Sequence, residues 1–494
     1  MKNRRCFDDY LKIPVVILIL SVASVVVCLL SPVNVYMNEG LNYSDQSVFV
    51  YVARIIDRGG IPYRDVFDHK GPVLYFLNYI GLKLNYEYGV WWIEIATVFL
   101  SLCGVYKLSR TFLSKAGSLI IALLDLSQIV YVFSYGNLTE LYALPLQIFS
   151  LNFFVEYLSC GSTKYWKIGT CGLFFAVTLL LQPNLIAVWA VFLVCILISL
   201  VRARKFKFLA SCILSFSIGV IIMLIPVLLY FGVNNAFKDF IYDYILFNTD
   251  YSSNNVTFMS RVSCMLFFVM NPNNIIAVVL LVLFCFVRSG RIGRKLNLIA
   301  LAYFVINLIL ISISGNCYQH YGMAMIPATI IPFVEAFDLV ASESVSEKKW
   351  IKTLTMIIAL SLTVIQFSLM IAAFFMNLES NRTRIKTYDE LNKYIELYSD
   401  PGDPIICYGN HVLVYNYSHR FAASKYVYLP YEPFESLFID EYIGELESNI
   451  PPVFIQIRKP NEKVAMFLKE HSYKDVAVID GFVVYVCEKN RTNK

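Results

Sequence analysis

Charge is scarce in this sequence. Asp, Glu, Lys and Arg make up 16% of its 494 residues, against roughly a quarter in a soluble domain. Hydrophobic residues reach 58% and mean hydropathy is +0.61, which excludes an ordinary soluble enzyme. Several motifs are missing as well. No CxxC, HExxH, Walker loop or GxSxG occurs, which removes zinc proteases, P-loop nucleotide hydrolases and α/β-hydrolases. No small-x-small cleavage site follows the first apolar run, Ile13–Ser31, so that run reads as an uncleaved helix rather than a signal peptide. A charged path across the membrane is absent too. Asp125 is the main ionisable residue at mid-span, and ion-coupled transporters usually need more than that near the midplane.

What is present is a series of apolar runs close to the ~18 residues that cross a bilayer. They fall near 13–31, 89–108, 117–134, 140–158, 168–183, 184–201, 208–231, 272–288, 296–313, 321–340 and 350–376. Backbone groups find no water in lipid, so these runs must be helices. Alternate loops divide the basic residues unequally, about 20 on one side and about 7 on the other. The richer side holds Arg4, Lys107, Lys167, Arg204, Arg291 and Lys352 among others, and is read as cytoplasmic. The net charge of +5 therefore anchors loops, and no nucleic-acid partner is expected. The expectation is an all-α polytopic membrane domain over 1–376 with about eleven transmembrane helices, its N-terminus cytoplasmic, in the plasma membrane. Residues 377–494 should form a small extracytoplasmic α/β domain. Short β-rich runs (Pro404–Tyr408, Tyr426–Leu429, Val453–Ile457, Val476–Ile479, Phe482–Cys487) alternate there with helical stretches near 386–399, 436–448 and 462–471. Most of the 12 cysteines lie within spans as small apolar residues. Cys407 and Cys487, in the outer domain, read as separate thiols, with a disulfide as the alternative.

Polar chemistry gathers on the outer side, above all in the first outer loop, 32–88. Residues 46–58 read as an amphipathic helix with Val48, Val52, Ile55 and Ile56 on one stripe. It is too short and charged to span, so it should lie at the interface, ended by Gly59-Gly60. The segment Arg64-Asp65-Val66-Phe67-Asp68-His69-Lys70-Gly71-Pro72 follows, then a second interfacial stretch, Val73–Tyr86. Smaller polar clusters sit at Ser134–Glu140, Gln182-Pro183-Asn184, Asp239–Arg261 and Ser314–Tyr321. A lone histidine such as His320 is more often an interfacial hydrogen bonder than a catalyst.

This loop resembles the GT-C class of membrane glycosyltransferases, in the branch of protein O-mannosyltransferases and the lipid A aminoarabinose transferase. Asp45-Gln46 stands at the acidic position after the first span, Gly60-Ile61-Pro62-Tyr63 at the family's turn, and Lys70-Gly71-Pro72-Val73-Leu74 at its Lys-Pro-Pro-Leu segment. His320-Tyr321, followed by Pro327, is similar to the family's approach to a late span. Gln46 replaces a second acid, whose role is lost or falls to Asp65, Asp68 or Glu140. Gly71 replaces a proline, which should loosen the turn after Lys70. The resemblance implies inverting transfer of a sugar from a polyprenyl-phosphate donor to a cell-envelope glycan, lipid or protein, at the outer face of the membrane lipid. Asp45 would be the general base. Lys70 would stabilise the leaving phosphate, helped by His69, Arg64, Arg261 and His320, with Tyr63 and Tyr321 on phosphate or sugar. A divalent metal is compatible with these carboxylates, but no ligand spacing demands a cofactor. The rival readings are a lipid-linked oligosaccharide flippase or transporter, a polysaccharide polymerase or ligase, and a ligand-binding receptor.

Overall fold

The structure is a computed structural model, and it describes residues 11–34, 44–133, 136–161, 163–253, 256–287, 290–341, 349–430 and 433–487. Residues 35–43 of the first outer loop, and Ser134 and Tyr135 of the cluster Ser134–Glu140, lie outside these residues. Helix α1 (Ile13–Cys28) leads to α2 (Ser44–Asp57) and α3 (Pro72–Leu84), then to α4 (Gly89–Arg110), α5 (Lys115–Val132), α6 (Thr139–Cys160) and α7 (Tyr165–Leu179). Next come α8 (Ala187–Arg202), α9 (Phe206–Val233), α10 (Phe237–Phe240), a π-helical turn (Ile241–Leu246) and α11 (Phe247–Ser253). Then α12 (Phe258–Val269), α13 (Pro272–Phe286), α14 (Arg294–Ile311), a 3-10 turn (Gln319–Met325), α15 (Ile326–Ala341) and α16 (Lys349–Tyr398) complete the helical part.

Each of the eleven apolar runs carries a helix. By length and composition, six helices among the described residues can cross a membrane: α4, α5, α6, α9, α14 and the run Gln319–Val340. Helices α12 and α13 would add a seventh span, bent by 86° where Pro272 starts a new helix. Helices α1, α7 and α8 have 16, 15 and 16 residues and fall short of a full crossing length. The molecule is an integral membrane protein by these helices, with six or seven crossings of full length among the described residues. Helix α7 packs closely against α9. A Cβ on Gly172 would lie 2.0 Å from the Phe216 carbonyl oxygen, and one on Gly219 1.9 Å from that of Gly169. Helices α7 and α9 therefore touch backbone to backbone, as small residues allow in membranes.

The first outer loop forms both expected helices. Gly59, at φ +86°, ends α2 as a helix C-terminus prefers. Yet α2 is not a lone interfacial helix, because Phe49, Tyr51, Val52 and Ala53 are fully buried. On one side α3 and the start of α4 bury it, with Phe49 against Tyr75 and Ala53 beside Leu82 and Val90. On the other, Tyr51 packs on Tyr415 of the C-terminal unit, which comprises β1 (Ile406–Tyr408), α17 (Leu413–Tyr417), α18 (Glu435–Ser448), β2 (Val453–Gln456), α19 (Glu462–Glu470), β3 (Tyr473–Ile479) and β4 (Phe482–Cys487). The sheet order is β1-β2-β4-β3, with β1 parallel to β2 and the other pairs antiparallel. Asp480 and Gly481, both at positive φ, make the tight turn that a β3–β4 hairpin favours. Cys407 and Cys487 are separate buried thiols.

Two expectations change. Tyr426–Leu429 is not a strand: its backbone bends, with the Val427 amide folding back onto the Lys425 carbonyl (3.1 Å), which also accepts from the Phe67 amide of the first loop (2.9 Å). Cys264 and Cys317 form a disulfide, Cα–Cα 5.1 Å, joining α12 to the segment before the 3-10 turn. They are 53 residues apart, so no local pattern pairs them.

Candidate active site

The loop after α2 is shaped before it is functional. Asp65 accepts from the Ile61 amide (2.7 Å), and the Tyr63 amide donates to the Val66 carbonyl (2.9 Å). This closes a turn in which Tyr63 sits at φ +70°, a conformation rare for a bulky residue and held only by strong surroundings. Those surroundings are aromatic: the Tyr63 ring packs within 5.7 Å of Tyr75, Phe231 and Phe240. Its hydroxyl donates to the Lys70 carbonyl (2.7 Å), so Tyr63 fixes the backbone that presents Lys70. Gly71 then presses against the end of α7. A Cβ there would lie 2.0 Å from the Leu180 carbonyl oxygen, so the turn is pinned rather than loosened by glycine.

The result is a cavity of about 500 Å³ between the membrane part and the C-terminal unit. Asp45, Asp68, His69, Lys70, His320 and Tyr321 all line it. Asp45 enters from the first turn of α2, where the helix dipole favours a carboxylate. Asp68 is held by two hydroxyls, Tyr75 at 2.6 Å and Tyr428 at 2.7 Å. Burial depresses the Lys70 ammonium, but Tyr321, Asp45, Glu140 and Asp68 outweigh it and raise its pKa above the usual lysine range. Lys70 is therefore a fixed cation inside a ring of acids. His69 goes the other way, its pKa lowered by burial. Its Nδ1 meets the Asn248 amide oxygen at 2.9 Å, and that amide nitrogen donates to the His69 carbonyl. Nδ1 is therefore the protonated nitrogen and Nε2 keeps the lone pair. His320 stacks on Tyr318, centroids 5.6 Å apart, and meets Tyr321 edge-to-face at 4.8 Å.

The remaining expected residues lie elsewhere. Glu140, in the first turn of α6, is buried behind Lys70, and Thr139 donates to it (3.1 Å). Arg64 and Asp65 pair at 2.7 Å and face a second, open groove of about 760 Å³. Hydrogen bonding to Arg64 lowers the Asp65 pKa. Arg261 sits on α12, outside the lining. Gln46, at the family's second acidic position, donates to the Gly136 carbonyl (2.9 Å) and is structural.

Sequence reasoning missed the cavity's roof. Asn410, Tyr428, Leu429, Pro430 and Phe434 come from the C-terminal unit, and Tyr251 from α11. The Asn410 amide oxygen has no hydrogen-bond partner among the described residues. Only the tyrosine-rich composition hinted at this surface. Among the described residues no group of three His, Cys, Asp or Glu is placed to hold a metal ion.

Residues 8–379 match the family described as "Putative competence-induced protein Ccs4 N-terminal domain". The chain belongs to that family. The Ccs4 match thus spans the helical part and both loop helices that carry Asp45 and Lys70. No curated protein matches the sequence. Among solved structures, the Ccs4-family chain is similar to ArnT from Cupriavidus metallidurans bound to undecaprenyl phosphate. Identity is 13%, coverage is 96% of this chain and 98% of that one, and the TM-score is 0.64. The apo state of ArnT gives 12%, 95%, 97% and 0.56. The archaeal oligosaccharyltransferase AglB from Archaeoglobus fulgidus gives 11%, 89%, 69% and 0.45, too low a score to carry an argument. At such identities the likeness is one of fold, and that fold is GT-C.

Proposed function

We propose that this chain is a membrane glycosyltransferase that moves a sugar from a polyprenyl-phosphate carrier to a hydroxyl of a cell-envelope glycan, lipid or protein. The convergence of Asp45, Asp68 and Lys70 in one cavity carries this reading. In the proposed step Asp45 takes the proton of the acceptor hydroxyl as its oxygen attacks the anomeric carbon from the face opposite the leaving group. The bond from that carbon to the phosphate oxygen breaks, and the configuration inverts. Charge on the departing phosphate is met by the Lys70 ammonium and the Tyr321 hydroxyl, fixed donors aimed where charge develops. Asp68, held by two tyrosines, keeps Lys70 in register. His69, His320 and Tyr251 supply flat faces and polar edges for the sugar. The bound undecaprenyl phosphate in the ArnT structure supports a lipid-linked donor.

The orientation belongs to the same proposal. We read all eleven apolar helices as crossings, the three short ones included, so that a cytoplasmic N-terminus would put the cavity and residues 377–494 outside the plasma membrane. The basic residues of the inner loops support it, and so does the Cys264–Cys317 disulfide, since such bonds persist in oxidising compartments and Cys317 adjoins Tyr318 of the cavity.

The test is reconstitution in vesicles with a polyprenyl-phosphate sugar and envelope acceptors, reading polyprenyl phosphate release. Asp45→Asn should lower turnover by about 10²–10⁴. Wild-type release in that variant would overturn Asp45 as the base. Translocation of a labelled lipid without release would replace the transferase by a flippase.

A further inference from the structure

A second cavity lies far from the first. It measures about 280 Å³ and sits between α6, α7, α8 and α9, lined by Phe154, Tyr157, Cys171, Leu197, Cys212 and Phe216 among others. Helix α6 carries Glu140 at one end and Phe154 near the other, about 21 Å apart at 1.5 Å per residue. The two cavities therefore open toward opposite faces of the membrane.

Three observations say what fills it. The lining is mostly apolar, its polar members being Tyr157, Thr163, Ser217 and Lys167, whose ammonium is held by Glu156 at the rim, so water gains few partners inside. A dry cavity of about 150 Å³ already takes up benzene, and this one is nearly twice as large. It cannot close by drawing its helices together, because α7 and α9 are in backbone contact at Gly172 and Gly219. Its lateral wall is open to lipid, where the lining residues Val194, Leu197 and Ile213 are 51%, 43% and 56% exposed. Tyr165, Trp166 and Phe206 are exposed around its mouth, as aromatic side chains are at headgroup level. The mouth also carries exposed Lys164, Arg202, Arg204, Lys205 and Lys207. No acidic residue occurs between Glu156 and Asp239, and Glu156 is itself paired with Lys167, so the segments around the mouth carry a strong net positive charge.

We infer that this cavity binds one chain of an anionic phospholipid from the leaflet opposite the reacting cavity, its headgroup held by the basic residues at the mouth. Basic pockets between helices hold such headgroups through their charge. The inference does not rest on the transferase reading.

Native mass spectrometry of the purified full chain, titrated with phosphatidylglycerol or phosphatidylcholine of equal chain length, tests it. One phosphatidylglycerol should be retained per chain, bound at least tenfold more tightly than phosphatidylcholine. Cys171→Phe should fill the cavity and remove retention of both lipids. The triple change Lys164→Gln, Arg204→Gln and Lys207→Gln should remove only the preference. Unfolding midpoints check the fold, and Leu197→Phe on the lipid side replaces Cys171→Phe if the latter does not fold. Glycerol phosphate, a headgroup without a chain, should not compete. Competition by it, equal retention of both lipids by the wild type, or wild-type retention in the folded filled variant would overturn the site.

Discussion

Lys70 keeps its charge because three carboxylates surround it, so its role is set by neighbours that local sequence does not name. Its raised pKa keeps it cationic through neutral and mildly alkaline pH, whatever else titrates in the cavity. Lys70→Ala should lower turnover by about 10²–10³, the usual loss when one fixed donor to developing charge is removed. Lys83→Ala is the control: it breaks an exposed pair with Asp57, worth little, and turnover should stay near wild type. Equal losses in the reconstituted assay would count against a specific phosphate contact. Asp243, on the π-helical turn beside the site, gives a stability prediction. Burial raises its carboxyl to about 8, with Lys425 pulling the other way, against roughly 4 when unfolded. A raised folded pKa contributes stability that is present below pH ~4 and is lost as pH rises through about 8. Asp243→Asn, a permanently neutral mimic, should match the wild-type melting temperature below pH ~4 and exceed it by a margin that grows up to about pH 8.

At the scale of elements, the stretch from Tyr63 to α3 works as one presenting device. Tyr63 grips the Lys70 carbonyl, Gly71 abuts the end of α7, and Pro72 opens α3 with a fixed φ suited to a first helical turn. A methyl group on Gly71 has no room against the Leu180 and Leu181 carbonyls, at 2.0 and 2.5 Å. These are backbone atoms at the mouth of a packed helix and cannot rotate away. Gly71→Ala should therefore displace Lys70, lowering both the melting temperature and turnover, while Gly161→Ala, with open space around it, costs only backbone strain and leaves turnover unchanged. The helices themselves were legible, because apolar runs and the Gly59-Gly60 stop are local signals. Tyr426–Leu429 was misread since its alternation fits a strand equally well, and only its seat on the first loop decides otherwise.

At the scale of the molecule, the C-terminal unit is bolted over the site by Arg54. Its guanidinium donates to the Tyr415 carbonyl and the Asn416 side chain, both at 2.9 Å, and lies 4.6 Å above the Phe421 ring. Asn416 answers by donating to the Ser47 carbonyl (2.8 Å). Hydrogen bonds to a buried charge are each worth about 1.5–3 kcal/mol, so Arg54→Ala should cost on the order of 3 kcal/mol. The roof of Tyr428, Pro430 and Phe434 should loosen with it. Limited proteolysis within 399–430 should speed up in the variant, with turnover falling; unchanged cleavage would mean the roof is held elsewhere.

Composition and periodicity alone determined that this chain is a helical membrane protein with a small α/β unit at its end. The resemblance of the first outer loop to GT-C enzymes, not composition, marked Asp45 and Lys70, which that short loop places close in sequence. Burial and helix period are properties of adjacent residues, so they survive in one dimension. Tertiary structure decided the rest. It joined Asp45 and Lys70 to Tyr251, to His320 and Tyr321, and to Asn410 and Tyr428 across at least three hundred and forty positions. It also set Tyr63, Arg64, Asp65 and Arg261 outside that cavity. A cavity wall requires only that side chains meet in space, and no periodicity in the sequence records which ones do.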